Sequence, residues 1–346
     1  MILSVIFAVV LTTLCCVLSH QIIRWMKIPA DIAEEAYAYM FVVLLGTGAT
    51  VFYNMISNIL RALGDSKTPL YFLVFSSVLN IFLDILFILP LGMGVAGAAW
   101  ATILSQFLSA VLSLIVGMRR FEVLHLKKDD FANLGNAMTV HLKTGFPMGF
   151  QMSVMCIGQL AMQMVVNSLG TAAVAGYTAA SKADQLSVLV NNAMMTAISN
   201  YVAQNFGAGR KERIQQGVRA SLIQTETFNL LMCAGILLLR HPIVELFMSS
   251  PTKEIYHYSD VYLTIVAPFY IVLGLLAVYR TAIQSMQNGW APFAACMIEL
   301  VMRISATVGL VGMLGYTSVC IASPMAWFGA CALLIPCYYR MMKAWK

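Results

Sequence analysis

Residues Leu70 to Leu89 form a run of twenty in which Asp84 is the one charged residue. A run of that length and composition matches the hydrocarbon thickness of a bilayer when it is helical. Nine further apolar stretches recur along the chain, so that ten spans can be drawn, at about 2–23, 35–60, 69–90, 95–117, 141–168, 172–205, 214–239, 255–284, 291–313 and 316–342. Inside lipid every backbone amide must find its partner within the protein, which leaves closed barrels and helices as the permitted folds. Runs this long exclude the short alternating strands of a barrel and predict an all-α polytopic membrane protein. Composition agrees: 60% of the 346 residues are hydrophobic and 10% are charged, against about 25% charged in a soluble domain. The spans 35–60, 172–205 and 255–284 are longer than one crossing needs and must tilt, bend or project.

The basic residues give an orientation. One set of loops and the C-terminal tail carry most of them, including Arg61, Lys67, Arg119, Arg120, Lys127, Lys128, Arg210 and Arg280. The opposite loops hold Arg24, Lys27, Arg240 and Lys253. The rich side, with the C-terminus, is therefore expected in the cytoplasm, in a multi-pass protein of the plasma membrane. The net charge of +6 reflects this asymmetry and gives no reason to expect nucleic acid. The eight cysteines form no CxxC pair and read as small apolar residues in helices.

The longest polar interruption, 118–140, reads as a cytoplasmic linker rich in charge, from Arg119 to Asp129 and Asp130. It divides the chain into an N-terminal bundle of four spans at 1–117 and a C-terminal bundle of six at 141–346. The two parts repeat one another. Shifted by 223, Pro69 falls on Pro292, Leu91 on Leu314, Gly92 on Gly315 and Ala99 on Ala322, and the turn Gly64-Asp65-Ser66-Lys67 falls on Gln287-Asn288-Gly289-Trp290. Both copies run helix, turn, Pro-started helix, short turn, helix. An even number of spans per half makes this a parallel repeat about an axis along the membrane normal. On this register Met1 matches about residue 222, so two helices of a full first bundle have no counterpart here and ten of twelve are expected.

Several linked motifs carry a family resemblance. Asn58, Arg61, Gly64, Asp65, Lys67 and Pro69 stand in one run, followed by Asn80 and Asp84, then Gly92, Gly94, Gly97 and Trp100; Ala203-Gln204-Asn205-Phe206-Gly207 and Arg210 close the sixth span. Together these resemble the MATE (multidrug and toxic compound extrusion) family. The resemblance implies a secondary transporter of two six-helix bundles that expels organic cations and other small-molecule drugs in exchange for Na⁺ or H⁺. The coupling ion would be the sole accessory species, with no resident cofactor, and a monomer in the bilayer is expected.

Asp84 and Asn80 stand at i and i+4 and share one helix face. A charged carboxylate at mid-bilayer is costly, so such a residue is kept neutral or shielded in a polar cavity and commonly binds or relays an ion. The resemblance assigns the pair to proton or cation coupling, with Na⁺ at Asp84 as the one metal ion considered. Asn54 and Asn58 form another i, i+4 pair and are candidates for lining the same polar cavity. Some branches of the family place a Glu early in the first helix of the second bundle. Gln151 stands there in this chain and is a further cavity candidate, and no acid lies between Asp260 and Glu299. Coupling is therefore expected in the first bundle. The second bundle holds Lys182, Asp184, Glu226, Glu299 and Arg303. Glu299 and Arg303, at i and i+4, suit an intrahelical pair, and Lys182, Asp184, Glu299 and Arg303 sum to zero charge as a candidate network.

The 23 methionines and many aromatics suit an adaptable drug pocket. Alternatives are a lipid-linked oligosaccharide flippase of the related fold, which would need basic residues for pyrophosphate, and an inactive fragment. No HExxH, GxSxG or paired catalytic carboxylates appear, so an enzyme is not expected.

Overall fold

The computed structural model describes residues 2–25, 33–125, 134–248 and 251–345. The charges Lys27, Lys127, Lys128, Asp129, Asp130 and Lys346 lie outside them, and the side chain of Arg24 is likewise not described. The described residues are almost entirely helical and divide into two compact units, Met1–Met138 and Thr139–Lys346.

The first unit contains α1 (Ile2–Trp25), α2 (Ala33–Leu45), α3 (Thr47–Ala62), α4 (Lys67–Ile88) and α5 (Gly94–Arg120). Helices α2 and α3 are apolar enough to cross a membrane together and meet at a 40° bend at Gly46. A side chain at Gly46 would fall 2.2 Å from Ile103 of α5, so glycine is what permits this approach. Helix α5 presents a buried stripe of small residues, among them Gly97, Ala101, Ser105, Ser109 and Gly117. Small side chains let membrane helices approach closely enough for dispersion to replace the missing hydrophobic drive.

The second unit contains most of α6 (Leu134–Ser168), then α7 (Thr171–Gly207), α8 (Lys211–Phe247), α9 (Lys253–Val266), α10 (Tyr270–Ser285), α11 (Trp290–Gly309), the short α12 (Val311–Leu314) and α13 (Tyr316–Ala344). Its core gathers Met162, Ile214, Leu263, Tyr270, Ile283 and Leu334 from five helices. Helix α8 departs from helical geometry at Leu239 (φ −103°, ψ 15°). Pro242 follows three residues on, lacking the amide that would bond back into this turn.

Eight helices among the described residues are long and apolar enough to cross a membrane, or nine when the bent α2–α3 pair counts as one span. The expected span 172–205 is helical as α7, but α7 is not among them. Ser181, Lys182, Asp184, Gln185, Ser187, Asn191 and Asn192 are the reason: polar groups crowd the helix, and Ser181, Asp184, Gln185, Asn191 and Asn192 line the cavity described below.

The internal repeat is visible in the backbone. Helix α3 ends with a Schellman turn: Asp65 N–H donates to Leu60 O (2.9 Å) and Gly64 N–H to Arg61 O (3.0 Å). Helix α10 ends with the same two bonds, Asn288 N–H to Ile283 O (3.3 Å) and Gln287 N–H to Gln284 O (3.0 Å). Gly64 (φ 90°) and Gln287 (φ 64°) occupy the same left-handed position, and Gln287 is the non-glycine residue found there among the described residues. Asp65 Oδ1 then accepts from Thr68 N–H (2.9 Å) at the start of α4, as Asn288 Oδ1 accepts from Ala291 N–H (3.2 Å) at the start of α11. At the far ends Gly92 (φ 59°) and Gly315 (φ 54°) turn the chain into α5 and α13. Even the bend at Gly46 has its counterpart, the 3₁₀ turn Ala267–Phe269 between α9 and α10.

Candidate functional site

In the first unit, polar side chains face one another across three apolar helices. Asn80 on α4 donates to Thr102 Oγ1 of α5 (3.4 Å), and Thr50 Oγ1 of α3 donates to Gln106 Oε1 of α5 (2.7 Å). Thr102 and Gln106 are themselves i and i+4, as are Asn80 and Asp84, so two helices each contribute a pair of polar side chains one turn apart on one face. Asp84 is half-buried on α4, and its Oδ1 is sealed from solvent with no hydrogen-bond partner. Asn54 instead donates to Thr50 O of its own helix (3.0 Å), and Asn58 accepts from Arg61 Nη1 (3.0 Å). Both are exposed. Thr50, Thr102 and Gln106 escaped the sequence reading because hydroxyls and amides at single positions look like ordinary helix substitutions. The i, i+4 spacing of Thr102 and Gln106 was the available signal.

The second unit encloses a cavity of about 400 Å³. Its walls mix Met155, Met162, Leu276 and Trp327 with two carboxylates, Asp184 and Glu299, and two guanidinium groups, Arg280 and Arg303. Helix α7 supplies one acid, α10 one arginine, and α11 the other two. Asp184 accepts from Tyr262 Oη (2.5 Å) and from Tyr270 Oη, one hydroxyl to each carboxylate oxygen. Arg280 Nη2 donates to Glu299 Oε1 in a pair almost closed to solvent.

Three expectations need correction here. Glu299 does not pair with Arg303 along α11; it pairs with Arg280 on α10. Arg280 is not a loop residue, since α10 continues to Ser285 and carries it inside the unit. Lys182 takes no part in the network. It is exposed on α7 and makes no hydrogen bond or ion pair among the described residues, because it points away from Asp184 two positions on. Arg303 is 5% exposed, and its Nε is buried without an acceptor. Gln151 is buried too, but outside this cavity: its Oε1 accepts from Gln284 Nε2 (2.9 Å), tying α6 to α10.

At the cavity wall, Asn191 of α7 donates to Asn229 Oδ1 of α8 (3.0 Å), and Asn229 donates to Tyr270 O (3.0 Å). Glu226 lies on the same side of α8, with both carboxylate oxygens sealed off and unpartnered. Gly274 of α10 makes room for them: a side chain there would fall 2.4 Å from Asn229 Nδ2 and 2.6 Å from Glu226 Oε1.

The MatE family model matches residues 1–86 and 147–308. The chain belongs to the MATE family. A relative in Bacillus subtilis, the probable multidrug resistance protein YpnP, is 31% identical over 343 residues, covering 95% of this chain and 73% of that protein. The probable multidrug resistance protein NorM of Thermotoga maritima is 28% identical, over 86% of this chain and 64% of its own length. The chain thus spans about two thirds to three quarters of these two relatives. A crystal structure of the Vibrio cholerae MATE transporter VcmN superimposes with a TM-score of 0.91 at 18% identity, covering 99% of this chain and 78% of that one. The fold is therefore that of MATE transporters, and the apolar helices make this a multi-pass membrane protein.

Proposed function

We propose that this chain is an ion-coupled exporter of amphipathic small molecules, organic cations and other drugs among them. One observation carries the reading: a cavity of about 400 Å³ inside a membrane helix unit, walled by methionine and aromatic side chains and furnished with two carboxylates and two guanidinium groups. Ligand sites have that size and that mixture of apolar walls with a few placed polar groups. Ionisable residues within membrane segments are expensive and mark substrate or ion pathways. The names of the two bacterial relatives point the same way.

In this reading Asp84 is the coupling residue and Asn80 its neighbour. The unpartnered Oδ1 of Asp84, facing the interior of the first unit, supports this, since an orphan buried acceptor is a place for a proton or Na⁺. Uptake of either would change what α4 can hydrogen-bond to and so its packing against α5. The protein would act as a monomer in the plasma membrane with its C-terminus in the cytoplasm, carrying out transport and no covalent chemistry.

The test is dye efflux from loaded cells that lack their own exporters, followed after Na⁺ and H⁺ gradients are imposed separately. Asp84→Asn should cut efflux by about tenfold or more with expression unchanged. Normal efflux by the variant would remove Asp84 from the mechanism.

A further inference from the structure

The charges around the cavity are not treated alike. Asp184 has a tyrosine hydroxyl on each oxygen, and Glu299 has Arg280. Arg280 has Glu299. Arg303 has no such partner among the described residues: its side chain makes neither an ion pair nor a hydrogen bond there, and its Nε is closed to solvent. At 5% exposure it is as buried as the paired Glu299, which is 4% exposed. A guanidinium is always charged and carries five donors in a planar fork. Left without acceptors in a membrane interior, it is the least satisfied group lining this cavity.

Its placement is built. Gly158 of α6 leaves the space that the side chain fills, since a Cβ there would come within 3.3 Å of Arg303 Cδ and 3.6 Å of its Nη1. Below it, Thr307 Oγ1 turns back to Arg303 O (2.7 Å), so the hydroxyl one turn away is spent on the backbone. Arg280 lines the same cavity and brings a second guanidinium, its own charge already matched by Glu299. Asp184, the other carboxylate of the cavity, is held by one tyrosine hydroxyl on each oxygen and makes no ion pair among the described residues.

We infer that Arg303 is an anion anchor: the cavity takes a compound whose apolar or aromatic body lies on Met155, Met162 and Trp327 and whose carboxylate or phosphate oxygens accept from the Arg303 fork. This rests on the transport reading and narrows its cargo from organic cations and drugs in general to compounds that carry an oxyanion, with or without an amine. Planar bidentate pairing is the geometry in which arginine binds either oxyanion.

The experiment uses the full chain in phosphatidylcholine nanodiscs, with empty discs as the blank. Binding of 1-naphthyl phosphate and 1-naphthoate is compared with that of 1-naphthylmethylammonium by equilibrium dialysis. The wild type should bind both anions about tenfold more tightly than the ammonium, a gap set by one charge-assisted pair. Arg303→Gln should erase the preference, and Arg303→Lys should keep part of it. Equal binding of all three probes by the wild type, or an undiminished preference in Arg303→Gln, overturns the inference. Should the variants fail to fold, phenylglyoxal modification of the wild type decides: 1-naphthyl phosphate should protect Arg303, and unprotected modification overturns the assignment. Adding phosphatidylglycerol to the discs separates two sources of the oxyanion. Displacement of the probe assigns it to a lipid headgroup, undisturbed binding to a soluble compound, and both uphold the anchor. Lost efflux with the anion preference intact counts against the transport reading alone.

Discussion

Arg280 and Glu299 bond across the turn between α10 and α11, and that bond withdraws Glu299 from Arg303 one turn further on. Removing one partner of such a pair leaves a buried charge unanswered and costs about 3–5 kcal/mol, whereas removing both is far milder. Arg280→Gln and Glu299→Gln should therefore each lower the thermal midpoint in detergent more than the double variant does. A cycle built on Arg303→Gln with Glu299→Gln should show little coupling. Strong coupling in that second cycle would return Glu299 to Arg303.

Asp65 gives the protein an acid-sensitive corner at the start of α4. Partial burial alone would hinder its ionisation, but the amide and hydroxyl of Thr68 and the guanidinium of Arg120 outweigh this and hold its carboxyl below the usual carboxylate range. With the folded value below the unfolded one, about 3.9, the stabilisation is fully present above that pH and is lost as pH falls through the folded value. Asp65→Ala should lower stability by about 1 kcal/mol at neutral pH, as for a lost helix cap. Unfolding followed at decreasing pH should show the gap between variant and wild type closing below about pH 4.

Gln287 holds a backbone conformation that suits glycine, as Gly64 shows at the equivalent corner. A left-handed residue with a Cβ costs about 1–2 kcal/mol. Gln287→Gly should raise the thermal midpoint, while Gly64→Gln should lower it. If Gln287→Gly is destabilising, the side chain contributes something that outweighs its strain.

Gly274→Ala should be costly despite its small size. The new methyl group meets Glu226 Oε1 and Asn229 Nδ2, which donates to Tyr270 O and to Asn191 Oδ1. Overpacking of this kind costs about 1–3 kcal/mol. Asn229→Ala in the same chain should recover part of the loss, measured as a double-mutant cycle of thermal midpoints. Additive losses would mean that the methyl is accommodated elsewhere.

The helices and their corners were legible in the sequence because membrane spans obey length and composition, and Pro69, Gly64 and Gly92 punctuate them. Pairing was legible only in part. Glu299 and Arg303 have ideal spacing along one helix, and that local rule lost to a contact between helices that spacing does not report. Arg280 was misplaced because it lies near the end of a span, where basic residues ordinarily reach the headgroups. The repeat held the clue: on the 223 register Arg280 falls on Ser57 and Glu299 on Ser76, and both serines are buried. Asp84 stands out by hydropathy alone, while its surroundings of Thr50, Thr102 and Gln106 are hidden among residues common in any membrane helix.

The backbone turn and the side-chain cap of the corner that ends α3 and starts α4 recur between α10 and α11, yet the helices it joins carry serines in one copy and an ion pair in the other. Such a corner behaves like a hinge plate cast twice from one mould, to which different doors are hung. Geometry and chemistry are thereby uncoupled: facing side chains on either pair can be exchanged without disturbing how the helices are delivered to one another. An asymmetric machine can then arise from a symmetric scaffold, with Asp84 a half-buried acid on one pair and Arg303, at the register position of Asn80, a buried cation on the other.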